Sequence, residues 1–222
     1  QRLWNITNKN WESSTTSTHP FSNWGLLSNG AACLDSKDGI LRPKNNGSGY
    51  VNVVHDPWRP VPAIGGHLSP QPGVAKRREL DLRPDVAIFT SPELEDKLHI
   101  EGVPVLKLIA NADRDSFDLC VALSIVNKEQ TEVDQISTGT LRIRGNQARK
   151  PLPRKIIFQP ILADLKEGER LRLSIAGSAW PAIAINPGQE QQTCGPPGPQ
   201  CKVITISLRL HESNFQISPL LN

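Results

Sequence analysis

From about residue 85 onward, apolar and polar side chains alternate along the chain. Leu119, Val121, Leu123 and Ile125 interleave with Cys120, Ala122, Ser124 and Val126, and Leu171, Leu173 and Ile175 with Arg172 and Ser174. Ile204, Ile206, Leu208 and Leu210 interleave with Val203, Thr205, Ser207 and Arg209, while Leu141 and Ile143 sit between Thr140, Arg142 and Arg144. Successive side chains of a strand point to opposite faces, so a period of two predicts a sheet with one buried face. Runs at 84–89, 103–110 and 156–162 also read as strands, as does the shorter 50–54. No window sustains a 3.6-residue period beyond two turns, and the best helical fragments, 91–98 and 131–137, are short. Roughly seven to nine strands without long helices predict an all-β fold, a two-sheet β-sandwich. Connections longer than hairpins favour a jelly-roll over a meander.

Residues 1–50 break the pattern. They are rich in Ser, Thr, Asn and Gly, with Trp4, Trp11, Phe21 and Trp24 as apolar anchors. A tract such as 13–18 (Ser-Ser-Thr-Thr-Ser-Thr) cannot build a core and reads as loop. Between 55 and 66 the chain is studded with Pro and Gly, which exclude helix. No internal repeat or clean linker interrupts the chain. Residues 1–222 are therefore expected to form one module, with 1–50 an irregular arm packed on a sandwich core of 51–222.

Composition adds limits. With 37% apolar and 21% charged residues the chain is ordinary for a globular protein, and its 19 prolines and 16 glycines, scattered without period, imply many turns. A net charge of +3 on 222 residues implies neither a nucleic-acid nor a membrane partner. The basic cluster Lys76-Arg77-Arg78, followed by Glu79 and Asp81, reads as a solvated loop. No apolar run reaches the roughly 20 residues needed to span a bilayer, and no signal segment opens the chain. That absence favours the cytoplasm, although a fragment would have lost such a segment. Methionine is absent throughout, position 1 included, as expected of a processed product or a piece of a longer polypeptide.

Candidate chemistry is sparse. Gly-x-Ser-x-Gly, the strained elbow that exposes a hydrolase serine, is missing, as are H-E-x-x-H, the P-loop and G-x-G-x-x-G. Five histidines at 19, 55, 67, 99 and 211 lie far apart and none is spaced for a metal. Asp113-Arg114-Asp115 with Asp118 forms the densest acidic turn; it reads as a solvated connector or Asx-turn, with a calcium site as the sharper alternative. Cys120 reads as a buried thiol. Cys194 and Cys201 leave open a local disulfide, because their spacing fits no zinc pair and no second pair completes it. Asn5-Ile6-Thr7 and Asn46-Gly47-Ser48 fit the glycosylation sequon. No cofactor or metal site is expected.

Several segments, taken in order, resemble a family. Tyr50…His55-Asp56-Pro57…Pro60-Val61-Pro62…Gly65-Gly66 is similar to the Y-x-x-D-P-x-x-P-V-P-x-x-G-G loop of X-Pro dipeptidyl-peptidase and cocaine-esterase-like serine hydrolases. Arg83-Pro84-Asp85-Val86 through Leu94, Ile100-x-Gly102, Asp115-Ser116-Phe117-Asp118-Leu119 and Gly139-Thr140-Leu141-Arg142 resemble segments that follow it. So do Gly168-Glu169-Arg170-Leu171-Arg172-Leu173, Trp180-Pro181 and Asn186-Pro187-Gly188, and Trp11 with Trp24-x-Leu26-x-Ser28 resembles the start of the module. Glu169 stands where the family usually has His, the Asp-Thr-Asp-Phe order becomes Asp-Ser-Phe-Asp, and the loop between Cys194 and Cys201 is an insertion.

The resemblance implies a C-terminal jelly-roll, galactose-binding-like domain that packs on an α/β-hydrolase domain holding a Ser-Asp-His triad. That triad would lie upstream of residue 1, so no catalytic residue carries over. The implied role is to bury apolar surface of the hydrolase, wall one side of its substrate pocket and help subunits associate. Asp56, Pro57, Trp58, Pro60, Gly65, Gly66 and Trp180 are the expected interface residues. The alternative is a carbohydrate-binding jelly-roll with Trp58 and Trp180 as stacking platforms. An independent enzyme is the least supported reading, because no motif predicts a site for it.

Overall fold

The structure is a computed structural model that describes residues 2–14, 23–189 and 197–219. Its strands are β1 (Arg2–Asn5), β2 (Asn10–Ser13), β3 (Trp24–Ser28), β4 (Ile40–Pro43), β5 (Ser48–His55), β6 (Ala75–Lys76) and β7 (Val86–Thr90). Then come β8 (Leu98–Ala112), β9 (Ser116–Val126), β10 (Val133–Arg144), β11 (Leu152–Ile157), β12 (Ile161–Leu165), β13 (Arg170–Ala176) and β14 (Ile204–Ser218). One short α-helix, α1 (Arg78–Asp81), and a 3-10 turn at Gly145–Gln147 complete the regular elements. Among the described residues no helix is long and apolar enough to cross a membrane.

β1 and β2 form a separate hairpin. The other strands follow one hydrogen-bonded path, β11-β8-β14-β5-β3-β4-β7-β13-β9-β10-β6, with β12 also pairing with β8. The path doubles back on itself as two layers. Leu106, Leu108, Val51 and Leu208 of the first layer share one core cluster with Leu119, Leu123, Leu173 and Phe89 of the second. A bridge between Gly139 and Phe158 brings the far edges of the layers together, leaving a flattened, nearly closed sandwich of jelly-roll type.

The two layers differ on their outer faces. In β5 and β14 burial alternates with exposure, as the period-two reading expects. In β9 every residue is buried except the half-buried Ile125, and β13 is buried from Leu171 to Ala176. The outward residues there include the small Cys120, Ala122, Ser124, Ser174 and Ala176, which leave room for the segments 57–82 and 177–188 to lie over them and over the ion-paired Asp118 and Arg172. Val61 packs on Val86, Ile88 and Ala176 in a second, smaller cluster at this junction.

Four sequence expectations need correction. Residues 1–50 are not simply an irregular arm: β3 and β4 carry the sheet from one layer to the other, with Trp24, Leu26 and Leu41 in the core. Ile156–Leu162 is two strands, divided at Gln159-Pro160 because proline cannot donate to the ladder. The fragments 91–98 and 131–137 are not helical; the first is loop leading into β8, and the second enters β10. The helix falls instead at α1, within the supposed solvated loop, where Arg77 is buried and ion-paired.

Candidate docking site

The segments over the second layer carry the residues expected at an interface. At the end of β5, Asp56 makes an Asx-turn: its Oδ1 accepts from Trp58 N at 2.9 Å and its carbonyl from Arg59 N at 3.0 Å. Pro57 is buried beneath this turn, Pro60 is half-buried, and the Trp58 side chain projects into solvent, 59% exposed. Arg83, clamped to Asp85 at 2.6 Å, reaches back to the Arg59 carbonyl at 3.0 Å. The chain then runs beside the Trp180 segment. Trp180 N donates to the Val61 carbonyl at 3.0 Å, Ala63 N to the Trp180 carbonyl at 2.7 Å, and Val61 N to Ser178 Oγ at 2.8 Å. Trp180 is 49% exposed, and the peptide joining it to Pro181 is cis.

Gly65 and Gly66 sit at φ of +53° and +71°, a region that side chains with a Cβ rarely adopt. They turn the chain into a finger closed by paired hydrogen bonds between Gly66 and Gly73, at 2.7 and 3.1 Å. The finger places His67, Leu68, Pro70 and Pro72 outside the sandwich. The structure thus places Asp56, Pro57, Trp58, Pro60, Gly65, Gly66 and Trp180 in two neighbouring segments joined by backbone hydrogen bonds, although they are spread over more than a hundred positions of sequence.

Two polar networks hold these segments down. In the first, Asp81 Oδ1 accepts from Arg77 Nε at 2.9 Å and Ser174 Oγ at 2.8 Å, while Oδ2 faces Arg172 Nη1 at 3.4 Å. Arg77 also donates to Gln135 Oε1 at 2.7 Å, and Gln135 Nε2 donates to the Ile64 carbonyl at 2.5 Å. Burial pulls the Arg77 guanidinium below its usual range, against the attraction of Asp81. A cavity of about 50 Å³ remains between this network and the Pro-rich loop, lined by Ile64, Leu68, Cys120, Gln135 and Ala182.

In the second network, Arg142 grips Asp118 in a fork, Nε to Oδ1 at 2.8 Å and Nη2 to Oδ2 at 2.7 Å, and also donates to the Ala184 carbonyl. Asn186 Nδ2 donates to Asp118 Oδ1 and Ser116 Oγ, both at 2.9 Å. The Asn186 carbonyl lies 3.2 Å from His55 Nε2; because a carbonyl only accepts, Nε2 carries the proton. Burial holds the His55 imidazole below its ordinary value. The scattered motif residues His55, Asp118, Arg142 and Asn186 are therefore the fastenings of one loop.

Among the described residues no serine, threonine or cysteine hydrogen-bonds a histidine, and no group of three or more His, Cys, Asp or Glu side chains could hold a metal. The acidic turn disperses onto separate partners: Asp113 Oδ1 accepts from Thr205 N at 2.9 Å, Asp115 pairs with Arg149 at 2.5 Å, and Asp118 with Arg142. Burial pushes the Cys33 thiol up to about 12 and the Cys120 thiol higher still. Cys194 lies outside the described residues, so its pairing with Cys201 does too. Asn5 of the first sequon is fully buried, with Nδ2 donating to Asp164 at 2.6 Å and to Glu12 at 3.1 Å, which leaves no room for a glycan. That contact ties the β1–β2 hairpin to β12, reinforced by Ile6 N to the Leu162 carbonyl at 2.8 Å.

The fold is found in solved hydrolases. An alpha-amino acid ester hydrolase is similar over 97% of this chain at 18% identity with a TM-score of 0.77, and an aminopeptidase from a marine sediment archaeon, Thaumarchaeota archaeon, over 97% at 17% and 0.75. A CocE/NonD family hydrolase from Staphylococcus aureus is similar over 100% at 16% identity and 0.57. In each case the chain spans only 40% of the length of the matched structure. No curated protein matches the chain. Residues 2–214 match the family described as the X-Pro dipeptidyl-peptidase C-terminal non-catalytic domain. With nearly its whole length matched and its two layers assembled as the motifs imply, the chain belongs to that family of non-catalytic C-terminal domains.

Proposed function

We propose that this chain is the accessory β-sandwich of a larger serine hydrolase of the dipeptidyl-peptidase or acyl-esterase type, resting on an α/β-hydrolase body and walling one side of its substrate pocket. The observation that carries this reading is the fastened loop pair. Two networks of buried charge hold segments 56–66 and 177–188 rigidly on the second layer, yet Trp58 and Trp180 at their tips are left in solvent. Buried ion pairs contribute little net stability relative to apolar packing, and one of their better-attested uses is to fix a single geometry. A fixed geometry that displays two tryptophans suits a docking surface. The family description and the 40% span of each hydrolase support the same reading. Acyl-enzyme chemistry, with Ser attacking and His shuttling the proton, would belong wholly to the other body.

Trp58→Ala in the parent hydrolase is expected to weaken association of the two bodies and to lower kcat/KM. Unchanged association and turnover would remove Trp58 from the contact. The exposed Trp58 and Trp180 also suit a carbohydrate-binding module, and calorimetric titration of this chain with oligosaccharides separates the readings, because a sugar-binding module binds unaided.

A further inference from the structure

The Pro-rich loop is one end of a longer apolar face. The finger Gly66–Gly73 stands between two grooves. One, of about 340 Å³, is lined by Trp4, Ile6, Pro72, Val74, Ile136 and Pro160. The other, of about 510 Å³, is lined by Ile64, Pro70, Pro72, Val74, Lys76 and Pro181. Pro72 and Val74 line both, so the two grooves flank the same residues of the finger, and Pro181 ties the second groove to the Trp180 segment. Trp4, Trp11, Leu68 and Val74 are all exposed here, with the Trp4 and Trp11 rings packed edge to face at 5.7 Å.

We propose that the finger and its two grooves are the seat of the catalytic body that precedes this module in its parent chain, with the β1–β2 hairpin as the outer wall. The inference rests on the accessory-domain reading above and extends its contact from the Pro-rich loop to the hairpin. Three observations select this occupant. First, the family is defined as C-terminal, so the parent's chain enters through β1, and β1 supplies Trp4 to the groove. Second, the surface is continuous with the Trp180 end of the fastened loops. Third, the lining is depleted in charge, as the centre of an interface is. Among the described residues Lys76 is the one permanently charged residue lining either groove, and Glu132 and Asp134 pair with it at 2.7 and 2.9 Å. The opposite outer face also exposes Tyr50, Val54 and Ile157, but it interleaves them with the charged Lys107, Lys155 and Arg209 and is the poorer seat.

Hydrogen–deuterium exchange tests the seat by comparing the full-length parent with the 222-residue chain. Peptides covering 2–13 and 66–75 are expected to exchange at least about tenfold more slowly in the parent, while 151–157 stays unchanged. Protection confined to 56–60 and 178–182 overturns the seat and leaves the accessory reading standing. No difference at any peptide overturns both. The double variant Leu68→Ser/Val74→Ser gives a second readout, because neither side chain supports the core. In the parent, proteolytic cleavage between the two bodies is expected to accelerate about fivefold or more, with the melting temperature of the 222-residue chain unmoved. Unaltered cleavage also overturns the seat.

Discussion

Consider the carboxylate at the centre of the network beneath the loop. Asp81 is 1% exposed at its side chain and serves two guanidiniums, Arg77 at 7% and Arg172 at 9%. Asp81→Asn keeps the shape but removes the anion the two arginines share, and it turns an amide N–H₂ toward a cation. Breaking a buried pair by removing one partner costs about 3–5 kcal/mol, because the remaining charge stays desolvated. In a chain of this size each kcal/mol is worth roughly 2–4 °C, so the melting temperature should fall by about 6–20 °C. Arg77→Met should cost less, since Asp81 keeps Arg172 and Ser174. A cycle of Arg77→Met, Asp81→Leu and the double variant, followed by urea unfolding, should give a coupling of about 1–3 kcal/mol. Amide exchange at 64–66 should rise in step, because Gln135 hands the network's geometry to Ile64. A cost below about 1 kcal/mol for Asp81→Asn, or an additive cycle, would refute the reasoning.

Three other outcomes are expected. The buried His55 ring resists protonation in the folded state, so the unfolded chain takes up the proton first as pH falls. Its contribution is complete above about pH 6.5 and declines below that, at up to about 1.4 kcal/mol per pH unit, until the folded ring protonates; His55→Gln should abolish this slope between pH 6.5 and 5, as read by chemical denaturation. Gly39→Ala would set a Cβ 1.7 Å from the Ile88 carbonyl where β4 meets β7, and should cost more than the roughly 1–3 kcal/mol of ordinary overpacking, seen as lost soluble yield or a sharply lower melting temperature. At pH 8 a thiol shifted to about 12 is ionised in only about one molecule in ten thousand, so the half-buried Cys33 should react only slowly with maleimide in the native chain and the buried Cys120 should escape it, both reacting once the chain is unfolded; rapid native labelling of Cys120 would contradict its burial.

Much of the sandwich was legible because alternation survives wherever one face meets water. β5 and β14 show it, and their positions follow from it. The second layer was legible as strands but not as a doubly covered sheet. Its outward residues are small rather than uniformly apolar, and Arg172 and Ser174 read as solvent-facing although both lie under the 57–82 segment. β3 and β4 escaped because four- and five-residue strands between Gly and Asn carry too few alternations to register. Arg77 was misread for a related reason. A local run of charge cannot reveal that its partners, Arg172, Ser174 and Gln135, approach from strands about 60 to 100 residues downstream. The residues proposed for the interface came from an ordered set of motifs, and the networks that fasten their segments could be seen only once those motifs met in space.

The seam at β3 carries a consequence for biosynthesis. Trp24 pairs with Phe215, Leu26 N donates to Ser213 Oγ at 2.9 Å, and β5 takes six residues of β14 as its neighbour. A nascent chain leaving the ribosome must therefore hold β3 and β5 unsatisfied until β14 has been made. Vectorial folding is closed to this domain: a stop codon at position 213 would strip Ser213 and Phe215 from the seam and leave an open, adhesive edge for chaperones or proteases to find.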